Sequence, residues 1–247
     1  MVSILYEDDY CIAVNKPSGM LVHRTEMAEK NERILLQVTR ALAGTHVYPL
    51  HRLDRPTSGI VLFALSRDHV NSLHQVLHSE DTTKGYIAVV RGYIDQEGFV
   101  DHPLKETRDS LFRIRGGKPK EARTRYSRLA TVELPYPVGI HPTARYSLAD
   151  IRPLTGRRRQ IRRHMKHLSH HVIGDTTYGD GVHNRFFRDH FNCRRLLLHC
   201  HELSFFHPFL EKRIYIQAPP ENELVTVFHL LGFSSNREDI LHFRTLL

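Results

Sequence analysis

Cysteine is scarce in this chain: Cys11, Cys193 and Cys200 are the only three in 247 residues. Three thiols build no disulfide framework, and none is spaced as in the C-x-x-C of a zinc ribbon or finger. That usage suits a reducing compartment. Long apolar runs are also lacking; none approaches the roughly 20 residues of a membrane span. The opening Met1-Val2-Ser3-Ile4-Leu5-Tyr6-Glu7-Asp8-Asp9 carries acid where a secretory signal needs base. A cytoplasmic location is therefore expected. Internal repeats, low-complexity tracts and Gly/Ser linkers are missing too, so residues 1–247 are expected to form a single domain, at most two subdomains sharing one sheet.

What the chain does have is base and hydrophobe. Hydrophobic residues make up 40%, enough for a sizeable core, and the formal net charge is +8. Excess positive charge points to an anionic partner, most simply nucleic acid. Nineteen histidines raise the question of a metal. Yet His167 and His171, four apart, have no acid between them as in H-E-x-x-H. No metal site is expected.

Short strands are predicted at Ile4–Tyr6, Tyr10–Val14, Ile60–Leu65, Gly85–Ile94, Thr124–Leu134, Ala144–Arg152, Leu196–Leu198, Leu203–Phe206 and Arg213–Ile216. Helical spacing of apolar residues covers Glu32–Ala43, Arg67–Ser79, Arg157–Leu168 and Glu221–Leu231. Arg108–Lys120 reads as an exposed loop or hairpin. Helices fall between groups of strands, not after each one. That pattern predicts an α+β fold with a mixed, mostly antiparallel sheet flanked by helices.

Three segments could carry chemistry. His51-Arg52-Leu53-Asp54-Arg55-Pro56-Thr57-Ser58-Gly59 sets one carboxylate between two guanidinium groups, ahead of a stiff apolar strand. Nearby positive charge keeps such an Asp ionised, as a carboxylate nucleophile or base requires. On residue types alone, a surface loop with an Asp-Arg ion pair is the commoner reading of such a segment. Thr155-Gly156-Arg157-Arg158-Arg159-Gln160-Ile161-Arg162-Arg163-His164 opens a helix whose Ile161, Met165 and Leu168 face inward. Its arginines form a plausible platform for an RNA backbone, or a solvated basic face. Lys84-Gly85-Tyr86-Ile87-Ala88-Val89-Val90-Arg91-Gly92 is by itself only a strand.

Together, and in this order, the three segments resemble the signatures of the RluA-type pseudouridine synthases. The resemblance extends to Val14-Asn15-Lys16-Pro17-Ser18-Gly19, His171-Val172-Ile173-Gly174-Asp175 and Arg195-Leu196-Leu197-Leu198-His199, and so covers almost the whole chain. One departure is Arg159, where the family usually has His. The resemblance implies the pseudouridine synthase fold with a central RNA-binding cleft and no appended RNA-binding domain. It implies an isomerase that converts uridine to pseudouridine in RNA, most simply tRNA uridine 65 in the T-arm stem. Another tRNA position or ribosomal RNA is the alternative within the family, and a non-catalytic RNA-binding protein the alternative outside it. A metal-dependent nuclease would need more clustered carboxylates than Asp175 and Asp180 offer.

The resemblance also implies roles. Asp54 acts at the sugar, Tyr86 stacks on the target base, and Arg162 pairs with the Asp. Arg52 fills the place of the flipped base, and His51, Arg55, Arg157, Gln160, Arg163 and His164 meet RNA. No cofactor, metal, membrane or obligate protein partner is implied, and a monomer is expected.

Overall fold

The structure, a computed structural model, describes residues 1–24, 31–105 and 118–233. The loop or hairpin predicted for Arg108–Lys120 lies, but for its last three residues, outside the described residues.

The chain opens with β1 (Ser3–Glu7) and β2 (Cys11–Lys16). Asp8 makes the turn between them, because its Oδ1 accepts the amides of both Tyr10 and Cys11 at 2.8 Å. Helix α1 (Leu35–Ala43) ends where Gly44 takes a left-handed φ of 66°. Then come β3 (Tyr48–Pro49), β4 (Ser58–Ala64), a 3-10 turn at Arg67–His69 and α2 (Val70–Leu77). β5 (Thr83–Arg91), β6 (Glu97–Asp101), β7 (Arg123–Leu134) and β8 (Ala144–Pro153) follow. The remaining elements are α3 (Gln160–His167), α4 (Gly181–Phe191), β9 (Leu198–His207), β10 (Lys212–Gln217) and α5 (Asn222–Leu230).

These elements divide into two compact units. The first comprises Met1–Lys84 with Cys200–Pro219, the second Gly85–His199 with Pro220–Leu247. In the first unit the strand order is β1-β2-β4-β9, with β3 on β4 and β10 on β9. β2 and β4 are buried almost throughout, which explains their unbroken apolar runs. They pair antiparallel, Val14 opposite Val61 and Lys16 opposite Gly59.

In the second unit the order is β5-β8-β7-β6, antiparallel throughout. Alternate residues of β5 and β8 serve two different cores, as the two-residue period of a strand requires. Ile87, Val89, Tyr146 and Leu148 pack with Phe186 and Phe187 of α4 and Leu224 and Phe228 of α5. Ala88, Val90, Ala149 and Ile151 pack with Ile161 and Met165 of α3. The unit is thus a sheet with helices on both faces, and the fold is α+β with mainly antiparallel pairing.

Two expectations need correction. The helix predicted from Arg157 begins at Gln160, because Arg159 is left-handed (φ 55°) and cannot extend it. In place of the strands predicted at Leu196–Leu198 and Leu203–Phe206 there is one strand, β9, which begins only at Leu198.

Candidate functional site

The Asp54 segment lies in the first unit, on the loop that feeds β4. The Asp54 carbonyl accepts the amide of Thr57 at 3.0 Å, closing a tight turn. Asp54 is half-buried, and Thr57, Ser58 and Gly59 behind it are buried. Gly59 has a φ of 115°, and a Cβ there would lie 2.1 Å from the carbonyl oxygen of Cys200. Only glycine fits that approach of two backbones.

His51 holds the other end of the turn, its Nε2 accepting the amide of Leu62 at 3.2 Å. Burial, with help from Lys84 and His78, pushes its pKa down to about 3. The imidazole is therefore neutral, with its proton on Nδ1, and it is an internal strut for the loop.

A second loop is stitched to this one. Lys16 stands opposite Gly59 in the ladder and is fully buried. Its ammonium donates to the carbonyls of Pro17 (3.0 Å), Met20 (2.8 Å) and Arg55 (3.1 Å). Ser18 Oγ donates to the Pro56 carbonyl at 2.8 Å, and the Gly19 amide to that of Arg55 at 2.9 Å. Arg55 returns a bond from Nε to the Gly19 carbonyl (2.9 Å) and pairs with Glu32 (2.9 Å). Arg52 is exposed. Burial and the Arg52 charge both lower the pKa of neighbouring His23.

The second unit holds Tyr86 and the arginine helix. Tyr86 is half-buried on β5, opposite Ile151, and leans on the α3-side core. Gln160 is buried, and both ends of its amide are engaged. Its Oε1 accepts from Thr155 Oγ1 (2.7 Å) and the Arg157 amide (2.9 Å). Its Nε2 donates to the Arg123 carbonyl (2.8 Å) and Thr124 Oγ1 (2.9 Å). Thr124 in turn meets His164 Nδ1 at 2.9 Å, and His164 Nε2 meets the His102 carbonyl at 3.0 Å. Burial lowers the His164 pKa, so it is neutral. Gln160 and His164 were expected on RNA, yet their polar atoms are spent inside the unit, tying α3 to β7.

Arg157 and Arg163 are more open. Arg157 Nε donates to the Glu121 carbonyl (2.8 Å), and Arg163 Nη1 to that of Lys105 (2.9 Å). Arg162 is buried. Its Nε and Nη2 donate to the two carboxylate oxygens of Asp175, at 2.6 and 2.8 Å. Sequence reasoning missed this partner, although Asp175 stood in a quoted motif.

Among the described residues one trio could suit a metal: Asp8, Cys11 and His207, with ligand atoms within 4.8 Å of one another. The histidine's own bonds argue against that use. Its Nδ1 accepts the amides of Phe209 and Leu210, at 3.2 and 3.1 Å. The ring proton therefore sits on Nε2, 3.3 Å from Asp8. Coordination there would strip the ring of its last proton.

The family model for RNA pseudouridylate synthase matches residues 9–167. The chain belongs to the RNA pseudouridylate synthase family. It is an enzyme of that family, an isomerase of uridine in RNA. The match includes the Asp54 loop, Tyr86 and the arginine helix. The synthase is 47% identical to tRNA pseudouridine synthase C of Vibrio cholerae over 88% of its own length and 91% of the relative's. It is 45% identical to the protein of that name from Pasteurella multocida, over 95% and 98% of the two lengths. Among solved structures, human RNA pseudouridylate synthase domain containing 4 superposes with a TM-score of 0.69 at 22% identity, covering 93% of this chain and 92% of that one. The human domain containing 1 protein gives 0.68 at 24%, covering 89% and 84%. At those identities the likeness is one of fold.

Proposed function

We propose that this synthase converts uridine to pseudouridine in tRNA, at uridine 65 of the T-arm stem. The observation that carries the reading is the near end-to-end match to tRNA pseudouridine synthase C proteins. In the reaction the N1–C1′ bond breaks, the uracil turns, and a C5–C1′ bond forms. The C5 proton is lost and N1 ends protonated. Nothing is oxidised or reduced and no group is donated, so the reading includes no cofactor and no metal.

A stem uridine must first leave the helix, at a cost of about a few kcal/mol. Exposed Arg52 suits the vacated stack. Asp54 acts at the sugar from a loop braced by Lys16, His51 and Gly59. Tyr86 stacks on the extruded base, and Arg162 supplies the positive charge that favours an ionised carboxylate. Arg55, Arg157 and Arg163 are suited to phosphates. His51, Gln160 and His164 support these groups from within. The reading takes the synthase as a monomer.

The test is tritium release from C5-labelled uridine in tRNA and 23S RNA transcripts, with modification mapping. Release from tRNA at position 65, lost in Asp54→Asn with RNA affinity kept, is the expected result. Modification of 23S RNA and not tRNA would overturn the substrate. Asp54→Asn activity within tenfold of the natural protein would overturn the role of Asp54.

A further inference from the structure

The segment Gly174–Asp180, between α3 and α4, is built around a single carboxylate. Both partners of the Arg162–Asp175 pair are buried, with side chains 4% and 1% exposed. Asp175 Oδ1 also accepts the amides of Thr177 (2.8 Å) and Tyr178 (2.9 Å). Burial works against the charge, but the Arg162 bonds and these amides hold the carboxyl below its usual range. Asn184, buried on α4, braces the segment from behind. Its Nδ2 donates to the Asp175 carbonyl and its Oδ1 accepts the Gly174 amide, both at 2.8 Å. Gly179 leaves no slack, since a Cβ there would lie 2.1 Å from the same carbonyl. The Tyr178 ring closes the arrangement, its centroid 5.4 Å from the Arg162 guanidinium carbon.

A guanidinium held by two parallel bonds cannot rotate about its own axis. A carboxylate held by two backbone amides cannot swing to follow it. We propose that Asp175 is a positioning residue for the isomerisation, acting through Arg162, with Asn184 as its brace. This rests on the assignment of Arg162 to the reaction. Neutralising a buried arginine needs only a negative charge. Fixing its direction needs the bidentate geometry and the braced turn, and both are present here.

Asp175→Asn removes the buried charge that faces Arg162 and risks unfolding, so Asp175→Glu is the working variant. It keeps the charge and moves the guanidinium by one methylene. Single-turnover tritium release at saturating tRNA transcript, tRNA affinity and thermal melts are measured together, alone and combined with Arg162→Lys. The expected result is a rate loss of at least tenfold with affinity within threefold. The double variant should be no slower than Arg162→Lys, within threefold. If Asp175→Glu does not fold, Asn184→Ala answers the same question, with a rate loss of at least threefold that Arg162→Lys again absorbs. Full rate in the folded Asp175 or Asn184 variant, beside a slow Arg162→Lys, overturns the positioning role alone. So do losses that multiply. Full rate in Arg162→Lys overturns the assignment of Arg162, and the positioning role with it.

Discussion

Replacing Lys16 with Met removes an ammonium that holds two loops together while keeping the length of the side chain. The buried amine donates to the carbonyls of Pro17, Met20 and Arg55. The Arg55 carbonyl still accepts the Gly19 amide afterwards, so the damage falls mainly on the other two. A buried acceptor deprived of its partner costs about 1–3 kcal/mol, which puts the loss at about 2–6 kcal/mol. Part of it is offset, because a buried cation no longer has to be desolvated. At a middle value of about 4 kcal/mol, and ~2–4 °C per kcal/mol for a chain of this size, the melting point should fall by ~8–16 °C. The Asp54 turn would keep its own Thr57 bond and the Ser18, Gly19 and Arg55 bonds to the Pro17–Met20 loop, but lose the buried ammonium that fixes the two loops from within. Single-turnover rate should therefore fall more than tRNA affinity. Scanning calorimetry with rates measured well below the melt checks both. A melting point within about 2 °C of the natural protein, at full rate, would refute the reasoning.

Gly59→Ala should destabilise by about 2–5 kcal/mol, summing an unfavourable φ and a clash with the Cys200 backbone. Urea unfolding measures it, and a change below 0.5 kcal/mol would mean the two backbones can part freely. His51 should make stability fall in acid. Its folded pKa of about 3 lies below the ordinary 6.5, so between those values the unfolded chain binds the extra proton. The contribution is complete above pH 6.5 and drains at up to about 1.4 kcal/mol per pH unit on the way down to 3. His51→Gln should flatten that slope in urea melts, and an unchanged slope would show that the imidazole charges while folded. Prolonged EDTA treatment should leave tritium release and melting point unchanged. Loss of either, restored by zinc, would make the Asp8–Cys11–His207 trio a metal site after all.

Much of this was legible along the chain, wherever the cause was local. The apolar runs of β2 and β4 showed as strands because both faces are buried. The Asp54 turn showed through its Pro-Thr-Ser-Gly. Helix α4 was missed, because its buried face mixes His183 and Asn184 with Phe186 and Phe187, which masks the helical period. The Asp180 side chain caps it at the Val182 amide, a signal that was available. β6 and the two-residue β3 have too little pattern to announce themselves. Gln160 and His164 read as RNA contacts because their motif resembles the family's arginine-helix signature. Their partners, Thr124 and the His102 carbonyl, lie about 40–60 residues away, and such pairings are not visible in a local pattern. The same holds for Lys16 and Arg55, and it leaves Arg162's bond to Asp175 unannounced although only 13 positions separate them.

The division of the chain also bears on how the protein is made. The first unit's β4 needs β9 as its neighbour, yet Cys200–Pro219 leaves the ribosome more than a hundred residues after Lys84. At about 5–20 residues per second, that is a wait of roughly 5–25 seconds. The second unit is no better placed, since Leu224, Val227 and Phe228 of α5 complete its core. Neither unit can close until its late segment, Cys200–Pro219 for the first and α5 for the second, has been made. During that interval the bare edge of β4 is a template for pairing with other nascent chains. The nascent synthase should therefore be a client of ribosome-bound chaperones, and its yield should depend on elongation speed more than the stability of the finished fold would suggest.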